Sequence, residues 1–289
     1  MRPRGKDSRS LRFLYHTPVG RMLLKPLCSR GVSKAAGALL SSSLSRFLIK
    51  PFVQKNGIDL REFESSGFQC FNDCFSRRIR EGFRPIDRDP EALIAPCDGL
   101  LSAYAIRSGT VIAVKQSRYR VAELLQDERL AREFEGGLCL VFRLCVDNYH
   151  RYCYVDSGKK GENIFIPGKL HTVRPIALRE VPVFCENCRE YTVMDSPNFG
   201  RLVQMEVGAM LVGRIRNYHG AGQVERGQEK GMFLYGGSTV ILLVKAGSVR
   251  FDRKLLSDTA RGVETPVKMG QRLCRKAPAS RISGELSEK

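Results

Sequence analysis

A chain of 289 residues, 43% of them hydrophobic, can bury a sizeable core, which excludes a disordered protein and leaves room for one large domain or two small ones. Its 48 Lys and Arg against 30 Asp and Glu give a net charge of +18, so an anionic partner is expected, with nucleic acid and anionic lipid as the obvious classes. Ten cysteines include Cys185-x-x-Cys188 and Cys70-x-x-x-Cys74 but no second close pair with zinc-finger spacing, and no signal-peptide pattern precedes them, so reduced cytosolic thiols are expected and no metal.

Residues 1–50 carry eleven Lys or Arg and one acid, Asp7, so +10 of the net charge sits at one end. Apolar residues are interleaved, and Leu40, Leu44, Phe47 and Leu48 have the spacing of a helix with one apolar face. No run reaches the roughly 18 apolar residues that a spanning helix needs. Basic amphipathic segments of this kind lie on anionic membrane surfaces, and they also pack on domains with a solvated basic face; the two readings are compatible. A nucleic-acid arm fits less well, because aromatic stacking platforms and a binding module are both missing.

Between 51 and 90, the stripe Phe68, Phe71, Phe75 and Ile79 predicts a helix with a core face, flanked by Arg77, Arg78 and Arg80 and stopped by Gly82 and Pro85. From Leu93 the chain turns to short β-rich runs: Val111 to Val114, Leu138 to Val146, Ile164 to Ile166, Tyr191 to Met194, Leu202 to Val207, Met210 to Ile215, Met232 to Tyr235 and Thr239 to Val244. One helix, about Val121 to Phe134, interrupts them. The expected fold class is therefore α+β: a basic, membrane-associating helical region over 1–90, then a predominantly antiparallel β domain over 91–289.

Three clusters in the β region can carry chemistry. Pro96-Cys97-Asp98-Gly99 places an acid in a turn. Asp147-Asn148-Tyr149-His150-Arg151-Tyr152-Cys153 places one of only four histidines at a strand end, where it serves either local hydrogen bonding or proton transfer. Gly236-Gly237-Ser238-Thr239 presents a serine at the mouth of the apolar run Val240 to Val244, and the same four residues also suit a plain hairpin turn. An acid, a histidine and a serine can form a nucleophilic set, but spacing alone does not bring them together.

PCDG at 96–99, NYHR at 148–151, Gly168-Lys169-Leu170 with Val173 and Pro175, EVGAMLVGRI at 206–215 and EKG at 229–231 leading to GGST occur in the order seen in phosphatidylserine decarboxylases, and the chain resembles that family from about residue 60 to 270. The resemblance implies a proenzyme that breaks its own chain between Gly237 and Ser238 and leaves Ser238 as a pyruvoyl group, with no metal or external cofactor. That ketone would form a Schiff base with the amine of phosphatidylserine and take up the electrons left by carbon dioxide, giving phosphatidylethanolamine. Asp98 would support self-cleavage and His150 would move the proton at the substrate carbon. Family members commonly carry a second histidine where this chain has Cys153, so Cys153 is a candidate self-cleavage base, with His150 and His171 as substitutes. The implied partners are a phospholipid substrate, the anionic cytoplasmic surface of the cell membrane as a peripheral site, and the enzyme's own two chains; a homo-oligomer is left open. An unprocessed lipid-binding relative, and less favourably a basic nucleic-acid-binding protein, are the alternatives.

Overall fold

The computed structural model describes residues 9–64, 67–108, 111–114, 117–209, 215–234 and 238–278. Helices Arg9–His16, Pro18–Leu27 and Arg30–Leu40 come first, followed by a 3-10 segment Ser43–Leu48 that runs into helix Ile49–Asn56. Thr17 and Ser29 cap the second and third: their side chains accept the N–H groups of Gly20 and Val32, donors that a first helical turn leaves open. The first two helices pack closely at Gly20, where a Cβ would lie 2.0 Å from the Phe13 carbonyl oxygen.

Two expectations for this region are corrected. The Leu40, Leu44, Phe47 and Leu48 stripe does not form on an α-helix, because residues 43–48 wind as 3-10, whose three-residue repeat breaks up a 3.6-residue face. The predicted Phe68 to Ile79 helix is confined to Phe71–Phe75, and Ile79 instead makes a β-bridge with Phe63.

An eight-stranded sheet forms the body, in the order Gly222–Val224, Gly158–Ile166, Arg189–Ser196, Gly200–Val207, Ser238–Val244, Leu138–Leu144, Gly99–Ala105 and Thr265–Val267. Every pairing between these neighbours is antiparallel. Strand Ser238–Val244 lies inside it, in register with Leu144 to Leu138 on one side and Val207 to Leu202 on the other. Val240, Leu242 and Val244 enter a core with Leu140, Phe142, Leu202 and Phe233, whereas Ile241 and Leu243 enter a second core with Val141, Val203 and Met205. Burial on both faces explains why this strand reads as an unbroken apolar run rather than an alternating one. Each fully buried aliphatic side chain here contributes about 1.5–3 kcal/mol.

Three smaller sheets accompany the body among the described residues: Ala92–Ile94, Arg272–Lys276 and Val249–Arg250; Ile215–Asn217, Glu229–Phe233 and Arg151–Cys153; and the antiparallel pair Val111–Val114 and Ser117–Arg120. The helix expected over Val121 to Phe134 is two, Val121–Leu125 and Glu128–Arg132. Gln126 adopts φ +52° between them, and Asp127 caps the second by accepting the Leu130 N–H. The N-terminal helices reach the second core through Tyr15, Leu24 and Cys28, which share it with Ile176, Ala177 and Leu178 of helix Pro175–Glu180.

Candidate active site

Ser238 is the first residue of the interior strand, stands opposite Leu144, and is fully buried. Gly236 and Gly237 lie outside the described residues, so the position of the expected Gly237–Ser238 break is known only from the Ser238 side. Facing the serine is His150, also fully buried, with Nδ1 3.2 Å from Ser238 Oγ. Its other ring nitrogen, Nε2, lies 3.0 Å from the Cys145 carbonyl oxygen. A carbonyl cannot donate, so Nε2 carries the proton, Nδ1 is a bare acceptor, and the Ser238 hydroxyl donates to it. A serine hydroxyl bonded to an unprotonated imidazole nitrogen is an activated nucleophile in geometry.

The histidine is held on every side. Its backbone carbonyl accepts the Phe233 N–H at 2.9 Å. Phe75, from the short helix Phe71–Phe75, lies against the ring at 4.0 Å between centroids and 30° between planes. Arg77, just beyond that helix, is 2% exposed; its Nη2 donates to the carbonyls of Asp147 and Asn148, and its guanidinium sits 4.2 Å above the Phe63 ring. Burial pushes the His150 imidazole down to about 3, the Arg77 charge pushes the same way, and the hydrogen bond to Cys145 offsets part of it. The ring is therefore neutral at physiological pH.

Asp98 does not meet His150. Its carboxylate accepts Arg84 Nε at 2.8 Å and Nη2 at 2.6 Å, and the Met269 N–H at 2.9 Å. It shares a cleft of about 480 Å³ with Asn148 and Tyr149. Cys153 does not reach Ser238 through any hydrogen bond among the described residues: its thiol is buried 3.9 Å from the Ala95 carbonyl oxygen, and burial raises it to about 12, so it is a protonated donor and not a base. His171 is taken up elsewhere, between Tyr15, Cys28 and Glu186.

On the face that Ser238 shares lies a polar cluster that the residue-by-residue reading did not single out as chemistry, although Glu206 and Lys230 fall in the EVGAMLVGRI and EKG motifs. Glu206 pairs across the sheet with Val240 and so shares a face with Ser238 two residues away. It forms a fully buried ion pair with Lys230 at 2.5 Å, and Asn217 bonds both partners. Gly231 lets these strands close up, since a Cβ there would lie 2.2 Å from the Arg216 carbonyl oxygen and 2.9 Å from the Tyr152 hydroxyl. Among the described residues no three His, Cys, Asp or Glu side chains are grouped to hold a metal ion. All ten cysteines are free thiols.

Residues 71–275 match the phosphatidylserine decarboxylase family. The chain is 42% identical to phosphatidylserine decarboxylase proenzyme 2 of Clostridium acetobutylicum over 91% of its own length and 90% of that protein's. Against the phosphatidylserine decarboxylase proenzyme of Clostridium botulinum the identity is 41% over 90% of each chain, and against that of Ruminiclostridium cellulolyticum 40% over 91% and 90%.

Proposed function

Since the chain belongs to the phosphatidylserine decarboxylase family, we propose that it is a self-processing decarboxylase that converts phosphatidylserine to phosphatidylethanolamine and carbon dioxide with a pyruvoyl group made from Ser238. One observation carries this reading: a fully buried serine hydroxyl donates to the bare Nδ1 of a neutral, fixed histidine. Those are the residues needed to make such a group, so the site fits it.

His150 takes the Ser238 proton as Oγ attacks the Gly237 carbonyl, and returns it to the departing amide nitrogen, which leaves an ester and a free amine. Loss of the Ser238 Cα proton then breaks the Cβ–Oγ bond, releasing the carboxylate of Gly237 and leaving dehydroalanine. Water hydrolyses its imine tautomer to the ketone with release of ammonia. When formed, the pyruvoyl ketone supplies an amine-reactive carbonyl and an electron sink for decarboxylation. In the second reaction His150, still beside residue 238, passes a proton to the substrate carbon. Burial, and after it the Arg77 charge, keep the imidazole neutral and ready to accept. Asp98, its charge taken by Arg84, shapes the cleft wall and does not act on His150.

The N-terminal helices support a peripheral place on an anionic membrane surface, at its cytoplasmic face. Phe13, Val19, Met22, Leu23, Leu44 and Phe47 are exposed among Arg12, Arg21, Lys25, Lys34, Arg46 and Lys50. Among the described residues no helix is long and apolar enough to cross a membrane.

The intact mass of the purified protein tests the reading. Two chains divided before Ser238, the second with a blocked, ketone-bearing start, are expected together with carbon dioxide release from phosphatidylserine. Ser238→Ala should remain one inactive chain. A single 32.5 kDa species with an unmodified Ser238 would overturn it.

A further inference from the structure

A histidine acting as base for a serine needs its second nitrogen anchored, or the ring flips and the wrong nitrogen faces the hydroxyl. That anchor is usually a carboxylate, and among the described residues His150 hydrogen-bonds to none: its Nε2–H goes to a backbone carbonyl, that of Cys145. The carbonyl belongs to a tight turn that one side chain closes. Asn148 Oδ1 accepts the Cys145 N–H at 2.7 Å, and the Asn148 N–H donates to the Cys145 carbonyl at 2.9 Å, so Asn148 ties both ends of the Cys145 backbone. The carbonyl oxygen spends one lone pair on this turn and aims the other at His150. Arg77 clamps the outer side by donating to the Asp147 and Asn148 carbonyls.

We propose that Asn148 is the positioning residue of the site: by closing the Cys145–Asn148 turn it fixes the proton of His150 on Nε2 and leaves Nδ1 open to the Ser238 hydroxyl. This rests on the self-processing reading, whose base it orients. It also accounts for a neutral acceptor serving where a carboxylate would be expected. The anchor sets ring orientation and tautomer without stabilising an imidazolium, so the proton passes through His150 and is not stored there.

Two measurements test it. In the uncleaved Ser238→Ala protein the serine no longer influences the ring, so the turn alone must set the tautomer; nitrogen-15 spectra at pH 7 should show His150 protonated at Nε2 and bare at Nδ1. The opposite tautomer would overturn the proposal, and this readout does not need a variant at Asn148 to fold. Second, Asn148→Leu, which removes the acceptor for the Cys145 N–H, should slow self-cleavage about tenfold or more, since a wrong tautomer alone can cost up to about 10⁴. Asn148→Asp keeps an oxygen at Oδ1 to accept the Cys145 N–H and should recover most of the lost rate; an Asn148→Asp chain as slow as Asn148→Leu would overturn the proposal. An Asn148→Leu chain that matures at the native rate would overturn the proposal while leaving the self-processing reading intact. A native chain that never breaks at Ser238 would remove that reading, and the proposal with it.

Discussion

The Ser238 strand and the N-terminal helices are both rich in apolar residues, and they use them in opposite ways. Along the strand, Val240 to Val244 are at most 1% exposed, and every residue is paired on at least one side. In the helices Met22, Leu44 and Phe47 are 71%, 73% and 75% exposed beside Lys and Arg, while Tyr15, Leu24 and Cys28 are buried in the core and Leu11 and Leu14 pack against it. Rigidity is thus concentrated where one hydroxyl and one imidazole must stay within hydrogen-bond distance. Exposed apolar surface is concentrated where a large, soft partner would be met.

The sharpest way to test this division is at its rigid end. His150→Ala should leave one uncut chain on a denaturing gel, with self-cleavage slowed by about 10²-fold or more, because no other described side chain is bonded to Ser238. In the native protein the rate should be flat from about pH 5 to 8, since His150 titrates near 3 and its basic form is present throughout. Stability carries the matching sign. The imidazole is depressed from 6.5, so its contribution is whole above about 6.5 and is lost as pH falls toward 3, by up to about 1.4 kcal/mol per pH unit, in chemical melts of the Ser238→Ala protein.

The next largest effect contrasts the two regions directly. Leu242→Ala should cost about 2–5 kcal/mol in denaturant unfolding, whereas Leu44→Ser with Phe47→Ser should stay within about 0.5 kcal/mol per site and instead weaken sedimentation with anionic vesicles. Equal vesicle binding by that pair and the native protein would remove the helical layer from membrane docking. The smallest effect is expected at Cys153. Cys153→Ala should mature within about threefold of the native rate, because a buried thiol raised to about 12 supplies no base; a large slowing would return the thiol to the chemistry.

Much of this was legible in the residues, and where it was not the causes are physical. The interior strands Leu138–Leu144, Gly200–Val207 and Ser238–Val244 announced themselves because burial on both faces demands apolar runs, whereas Gly99–Ala105 was not singled out and only the Ile164 to Ile166 end of Gly158–Ile166 was. Gly222–Val224, Val249–Arg250 and Thr265–Val267 did not announce themselves, since strands of two or three residues carry no period and exist only because a partner strand offers hydrogen bonds. Ser238 and His150 could be chosen by type, but the hydroxyl was assigned to His150 only by geometry: a role at the substrate carbon and a role as the serine's base look identical in NYHR. Phe75 and Arg77 read as a core stripe with arginines flanking it, and nothing local shows that Arg77 is buried against the His150 turn. Asp98 reads as a triad acid until Arg84, fourteen residues earlier, is seen to occupy both its oxygens.

The place of Ser238 in the sheet would have a consequence for the product of the proposed self-cleavage. A cut before Ser238 would leave the following strand stitched between Leu138–Leu144 and Gly200–Val207, and the strands Thr265–Val267 and Arg272–Lys276 paired with Gly99–Ala105 and Ala92–Ile94. Neither fragment would hold the whole eight-stranded sheet, so cleavage would have to follow folding. Losing structure then also means losing a partner. The uncut protein unfolds as one molecule, with a midpoint independent of how much is present; the cut one dissociates as it unfolds, and its melting point should climb with protein concentration. Diluted after denaturation, the two pieces must find each other by diffusion, so maturation would turn a reversible fold into an assembly that is made once.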